Sequence, residues 1–75
     1  MKLRILNETG DTVLTDEPVT KGMKRVKEAS AEQIKKEFDR LVKEDYTPIN
    51  DKTNKIVNRI KKTDEVTMLY PVIGG

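Results

Sequence analysis

The chain has no cysteine and no histidine. Without thiols there are no disulfides, no thiolate metal sites and no cysteine nucleophile. Without imidazole the commonest general base and metal ligand is missing too. Tryptophan is also absent, and Phe38, Tyr46 and Tyr70 are the whole aromatic complement. That is too few for a platform on which bases of a nucleic acid stack. No apolar run approaches the ~18 residues that a membrane-spanning helix needs, and Met1-Lys2-Leu3-Arg4 turns polar too soon for a secretory signal. Cytoplasmic residence, with no membrane partner, is the resulting expectation. No paired acids, phosphate-binding loop or ligand cluster can be assembled from what remains, so the chain is not expected to be an enzyme by itself.

At 75 residues the expectation is one domain spanning residues 1–75. A chain of this size buries only about 60% of the surface its unfolded form exposes, so its core must be small and well patterned. Fifteen basic residues against thirteen acidic ones leave a net charge of +2. The basic residues are clustered: Lys52, Lys55, Arg59, Lys61 and Lys62 follow one another with no acid between them, and Lys21, Lys24, Arg25 and Lys27 form a second group. A solvated face is the first reading of such runs, and a docking face for an acidic protein is the second. Direct nucleic-acid contact is not expected.

Leu3-Arg4-Ile5 alternates in the manner of a strand with one buried face. Gly10 follows as a residue able to supply the positive φ of a short hairpin loop, and Thr12-Val13-Leu14-Thr15 returns as a second strand. Which of Val13 and Leu14 points inward is not settled by period. Residues 20–29 read as a long loop or irregular turn, with Val19, Met23 and Val26 covering the core. The clearest element is a helix. Ser30 and Gln33 make a capping box, and Ile34, Phe38, Leu41 and Val42 are read as one apolar face. Glu32–Lys36 and Asp39–Lys43 are spaced as i,i+4 ion pairs. The helix is expected to end near Asp45, ahead of Pro48. Two short strands follow, one at Ile49 and one running from Lys55 through Ile60. Residues 65–70 form a closing strand with Val66 and Met68 on one face. A helix needs more than a two-stranded ribbon to rest on. The expected architecture is α+β: a mixed sheet of four to five strands, its first and last strands parallel, with one helix across it.

The sequence finishes Leu69-Tyr70-Pro71-Val72-Ile73-Gly74-Gly75. Pro71 has no N–H with which to continue a ladder and biases Tyr70 toward extended geometry. Gly75 has no side chain beside its carbonyl carbon, and Gly74 likewise adds no β-carbon to the end of the chain. Residues 71–75 are therefore read as an exposed tail with a reach of about 16 Å.

This order of elements resembles the ubiquitin-like, or beta-grasp, fold. Residues 1–17 can be laid against its first hairpin without a gap. The closing segment, Asp64-Glu65-Val66 through Tyr70-Pro71-Val72-Ile73-Gly74-Gly75, is similar to that of the MoaD/ThiS-like sulfur carriers. Those proteins commonly end in an acidic turn, a Glu-Val strand, aromatic-Pro-Val and Gly-Gly. The resemblance implies a carrier with no bound cofactor of its own. An ATP-using adenylating enzyme of the ThiF/MoeB kind activates the carboxylate of Gly75, a sulfur donor converts it to a thiocarboxylate, and an acceptor enzyme or large subunit takes the sulfur for cofactor or thionucleoside synthesis, molybdopterin among them. Pro71, Val72, Ile73 and Gly74 would then occupy the partner's channel, with Leu69 or Tyr70 docking on its surface. Two other readings stay open: a ubiquitin-like modifier joined to lysines through Gly75, and a beta-grasp interaction module whose terminus is irrelevant.

Overall fold

β1 (Lys2–Asn7) and β2 (Gly10–Thr15) pair antiparallel from Lys2↔Thr15 to Asn7↔Gly10. In this computed structural model, which describes residues 1–7, 10–20, 22 and 25–71, the hairpin is followed by β3 (Val26–Glu28), α1 (Ala31–Lys43), β4 (Thr47–Asn50), β5 (Lys55–Ile56) and β6 (Glu65–Leu69). Met23 and the last four residues, Val72, Ile73, Gly74 and Gly75, lie outside the described residues. Gly10 sits at φ +126°, a region that L side chains rarely adopt, and a β-carbon there would also overlap the Arg25 guanidinium.

Among the described residues the architecture is α+β: one helix and a six-stranded mixed sheet in the order β3-β2-β1-β6-β4-β5. The central pair, β1 and β6, is parallel, with Leu3 opposite Val66 and Ile5 opposite Met68. Side chains alternate between the faces of a strand, so these residues share the face that α1 covers. Leu3, Val66 and Met68 are fully buried with Ile34, Phe38 and Leu41 of α1, and Met1 and Ile60 close the cluster. Register also settles the choice within β2. Leu14 pairs with Leu3 and packs on the core, whereas Val13 pairs with Arg4 on the opposite face.

Ser30 and Gln33 cap α1 reciprocally: Gln33 N–H donates to Ser30 Oγ at 3.2 Å, and Ser30 N–H donates to Gln33 Oε1 at 3.0 Å. At the other end, Asp45 takes φ +68°, its N–H donating to the Val42 carbonyl at 3.1 Å and that of Tyr46 to the Leu41 carbonyl at 3.0 Å. This is the left-handed closure usually made by glycine. Among the described residues no helix is long and apolar enough to cross a membrane.

Several expectations are corrected. The sheet has six strands rather than four to five, because residues 26–28 add β3 in parallel to the edge of β2. A three-residue edge strand buries too little to leave a periodic signature. Val26 lies opposite Val13, on the face away from α1, and shares a slot there with Val19. These valines therefore cover the outer face, not the core. β5 stops at Ile56, and Ile60 reaches the core from a loop. Val42 is 40% exposed, since at 100° per residue it is rotated by about 80° from Ile34, off the buried stripe. The ion pairs of α1 join Arg40 to Glu37 and to Glu44, in place of those expected at Glu32–Lys36 and Asp39–Lys43.

Phe38→Ala should cost about 3–5 kcal/mol of stability, since Phe38 is the largest fully buried side chain. Ser30→Ala should cost about 1 kcal/mol through loss of the cap. Urea denaturation followed by circular dichroism measures both. A loss below about 1 kcal/mol for Phe38→Ala would contradict the core described here.

Candidate functional site

β6 lies between β1 and β4 and is hydrogen-bonded on both sides. Its last residue, Leu69, pairs with Thr47. By alternation Leu69 stands on the face away from α1, and it is 37% exposed. Tyr70 is 43% exposed and falls on the α1 side. Its ring meets that of Tyr46 edge to face, with centroids 5.6 Å apart and planes at 82°. Such pairs contribute about 0.5–1.5 kcal/mol beyond their buried area. Pro71 follows, half-buried. The chain therefore leaves the sheet at a fixed point, held by a ladder on two sides and by an aromatic contact just beyond it.

Local sequence explains why Tyr46 is there. The closure at Asp45 turns the chain out of α1, and Tyr46 is the first residue after it, one step before β4. Val42, one turn earlier on α1, is at the same end of the molecule. Among the described residues the exposed large apolar side chains are Val42, Ile56, Leu69 and Tyr70. Leu69 and Tyr70 stand at the end of β6, one on each face of the sheet, and Val42 lies in the last turn of α1.

Arg40 is held by Glu37 and Glu44, and its pKa is raised above the ordinary arginine value, first by the hydrogen bond it donates to Glu37 and then by the charges of the two carboxylates. Paired in this way, it is already committed within α1. Among the described residues no group of three or more acids is placed to hold a metal ion, and no buried side-chain nitrogen or oxygen lacks a hydrogen-bond partner.

Of the residues singled out from sequence, the structure brings together Leu69, Tyr70 and Pro71. Gly74, Gly75, Val72 and Ile73 lie outside the described residues. Leu69 and Tyr70 stand on opposite faces, so a partner that touches both must wrap the end of the strand. Sequence reasoning missed Val42 and Tyr46. Val42 could have been found from its angular offset within the helix. Tyr46 carried no signal until the β4–β6 register placed it beside Tyr70. Comparison with known proteins gives no match, whether to a family model, a curated protein or a solved structure.

Asp45→Gly should raise stability by about 1 kcal/mol, because glycine adopts the left-handed conformation without the penalty of a β-carbon. A double-mutant cycle on Tyr46→Ala and Tyr70→Ala should give a coupling of about 0.5–1.5 kcal/mol. Additive losses would mean that the ring contact does not anchor the strand end.

Proposed function

We propose that this chain is a beta-grasp sulfur carrier, with the carboxylate of Gly75 as its reactive group. The observation that carries the reading is the exit of β6: a central strand paired through Leu69, exposed apolar side chains at Leu69 and Tyr70, and the sequence Pro71-Val72-Ile73-Gly74-Gly75 directly after it. A six-stranded mixed sheet with parallel β1 and β6 and one helix across it is compatible with that fold.

The chemistry follows from the acyl group. A carboxylate resists nucleophiles until one oxygen becomes a leaving group. Attack of a Gly75 oxygen on the α-phosphorus of ATP, in a partner enzyme, forms the acyl-adenylate and releases pyrophosphate. A sulfide-equivalent donor then attacks the acyl carbon. The C–S bond forms, the C–O bond to AMP breaks, and a thiocarboxylate remains for transfer to an acceptor. The carrier contributes an unhindered acyl carbon and a surface that seats the strand end. Tyr70 approaches the partner from one side and Leu69 from the other. Dependence on ATP is compatible with a cytoplasmic reaction.

The test is incubation of the full chain with an adenylating enzyme of its host, ATP and sulfide, followed by intact mass. The expected result is the mass gain of one oxygen replaced by sulfur, located at Gly75. Gly75→Val should abolish that gain and leave the melting temperature unchanged. Leu69→Asp should diminish it with the fold intact. Failure of the wild-type chain to gain the mass, with the enzyme active on another carrier, would exclude the proposal. Mass ladders on other proteins that vanish on deleting Gly75 would assign the acyl group to protein conjugation instead.

A further inference from the structure

The basic run from Lys52 to Lys62 takes no part in the exit of β6, and the structure gives it an unusual setting. Lys52, Lys55, Arg59, Lys61 and Lys62 are all exposed, and among the described residues none has a carboxylate at ion-pairing distance. By contrast Lys2 reaches Glu65 at 3.5 Å, and Arg40 holds two acids. Lys55, Arg59 and Lys61 line one open groove with Ile56 and Val57. Asp64 also borders it, but its Oδ2 accepts the Lys61 N–H at 2.9 Å.

The backbone of β5 supplies a second feature. Among the described residues β5 is the last strand of the sheet and pairs on one side only, with β4. Val57 N–H donates to the Pro48 carbonyl at 3.0 Å, which makes Pro48 and Val57 a hydrogen-bonded pair. The neighbouring pair, Ile49 and Ile56, is then of the non-hydrogen-bonded kind. In an antiparallel ladder this directs the N–H and C=O of Ile56 away from β4, toward the open edge. The Ile56 side chain is 71% exposed, the most of any large apolar residue described.

From these two features we infer that the β5 edge is a docking site for an extended acidic segment of a partner protein. The segment adds as a strand, hydrogen-bonding to the N–H and C=O of Ile56, with an apolar residue against the Ile56 side chain and carboxylates against Lys55, Arg59 and Lys61. A second copy of this chain is a poor occupant, since edge-to-edge pairing would bring the lysines of two β5 strands together. A nucleic-acid strand would satisfy the cations but leave Ile56 in water, and no aromatic side chain lines the groove to stack a base. This inference is independent of the chemistry of Gly75.

The probe is a short synthetic peptide of alternating glutamate and leucine, titrated into the isotope-labelled full chain and followed by amide chemical shifts. Saturable shifts centred on Ile56 are expected, weakening as salt rises. K55E/R59E/K61E should raise Kd by at least about tenfold. Ile56→Pro, which removes the edge donor and keeps an apolar side chain, should do the same, with melting temperatures showing that both variants fold. If Ile56→Pro fails to fold, the charge-reversal variant, altered only at exposed side chains, decides the matter. Absence of saturable shifts, or affinity unchanged by charge reversal, overturns the inference. So does binding of oligothymidylate as tight as that of the peptide and indifferent to Ile56→Pro, which would make the groove a phosphate-backbone site.

Discussion

The parallel pairing of β1 with β6 is the constraint on which the rest of this structure depends. It joins the first strand to the last, so the chain cannot complete its core until nearly all of it is present. Leu3 and Val66 are placed side by side by that register, as are Ile5 and Met68, and α1 then has a continuous apolar surface to cover. Phe38, Ile34 and Leu41 fill the space above it. Contacts between such distant parts of a chain carry a large loop-closure cost and slow folding. Local devices offset part of it: a tight hairpin at Gly10, a capped helix start at Ser30 and a left-handed closure at Asp45 each lower the number of conformations left to search.

The same pairing makes β6 an internal strand whose exit is exposed. Nearly every backbone group of Glu65–Leu69 faces a neighbouring strand, yet Leu69 at its end and Tyr70 just beyond it are exposed. A firm base and an accessible end are thus combined at one place. The division of Leu69 and Tyr70 between opposite faces follows from the two-residue period of a strand. It gives the exit two different sides, one bordered by α1 and one by the open face of the sheet.

Much of the architecture was legible because the devices that make it are local. The Ser30–Gln33 box is a matter of a three-residue spacing, the stripe of Ile34, Phe38 and Leu41 repeats with the helical turn, and Val66 and Met68 alternate. What was not legible depended on neighbours far along the chain. β3 exists because β2 offers an edge to residues 26–28, and nothing in Val26-Lys27-Glu28 announces a strand. Val42 was read into the core because it is apolar and adjacent to Leu41, although the helical angle turns it outward. Leu69, Tyr70 and Pro71 could be singled out from sequence, but the Tyr46–Tyr70 contact could not. It needs both the Asp45 closure and the register that sets Thr47 against Leu69.

Pro48 has an effect that reaches beyond its own position. It sits in a strand with neighbours on both sides, and toward β5 it accepts from Val57 but has no proton to return. The seam between β4 and β5 is therefore short, a two-residue strand with one bond missing at the Pro48–Val57 pair, whereas β1 and β6 are laddered along most of their length. Protection against amide exchange should be graded across the sheet accordingly, with the β5 margin opening in small fluctuations and the central pair exchanging only when the whole molecule unfolds. Proline at this place leaves the β5 edge one bond short of a full ladder.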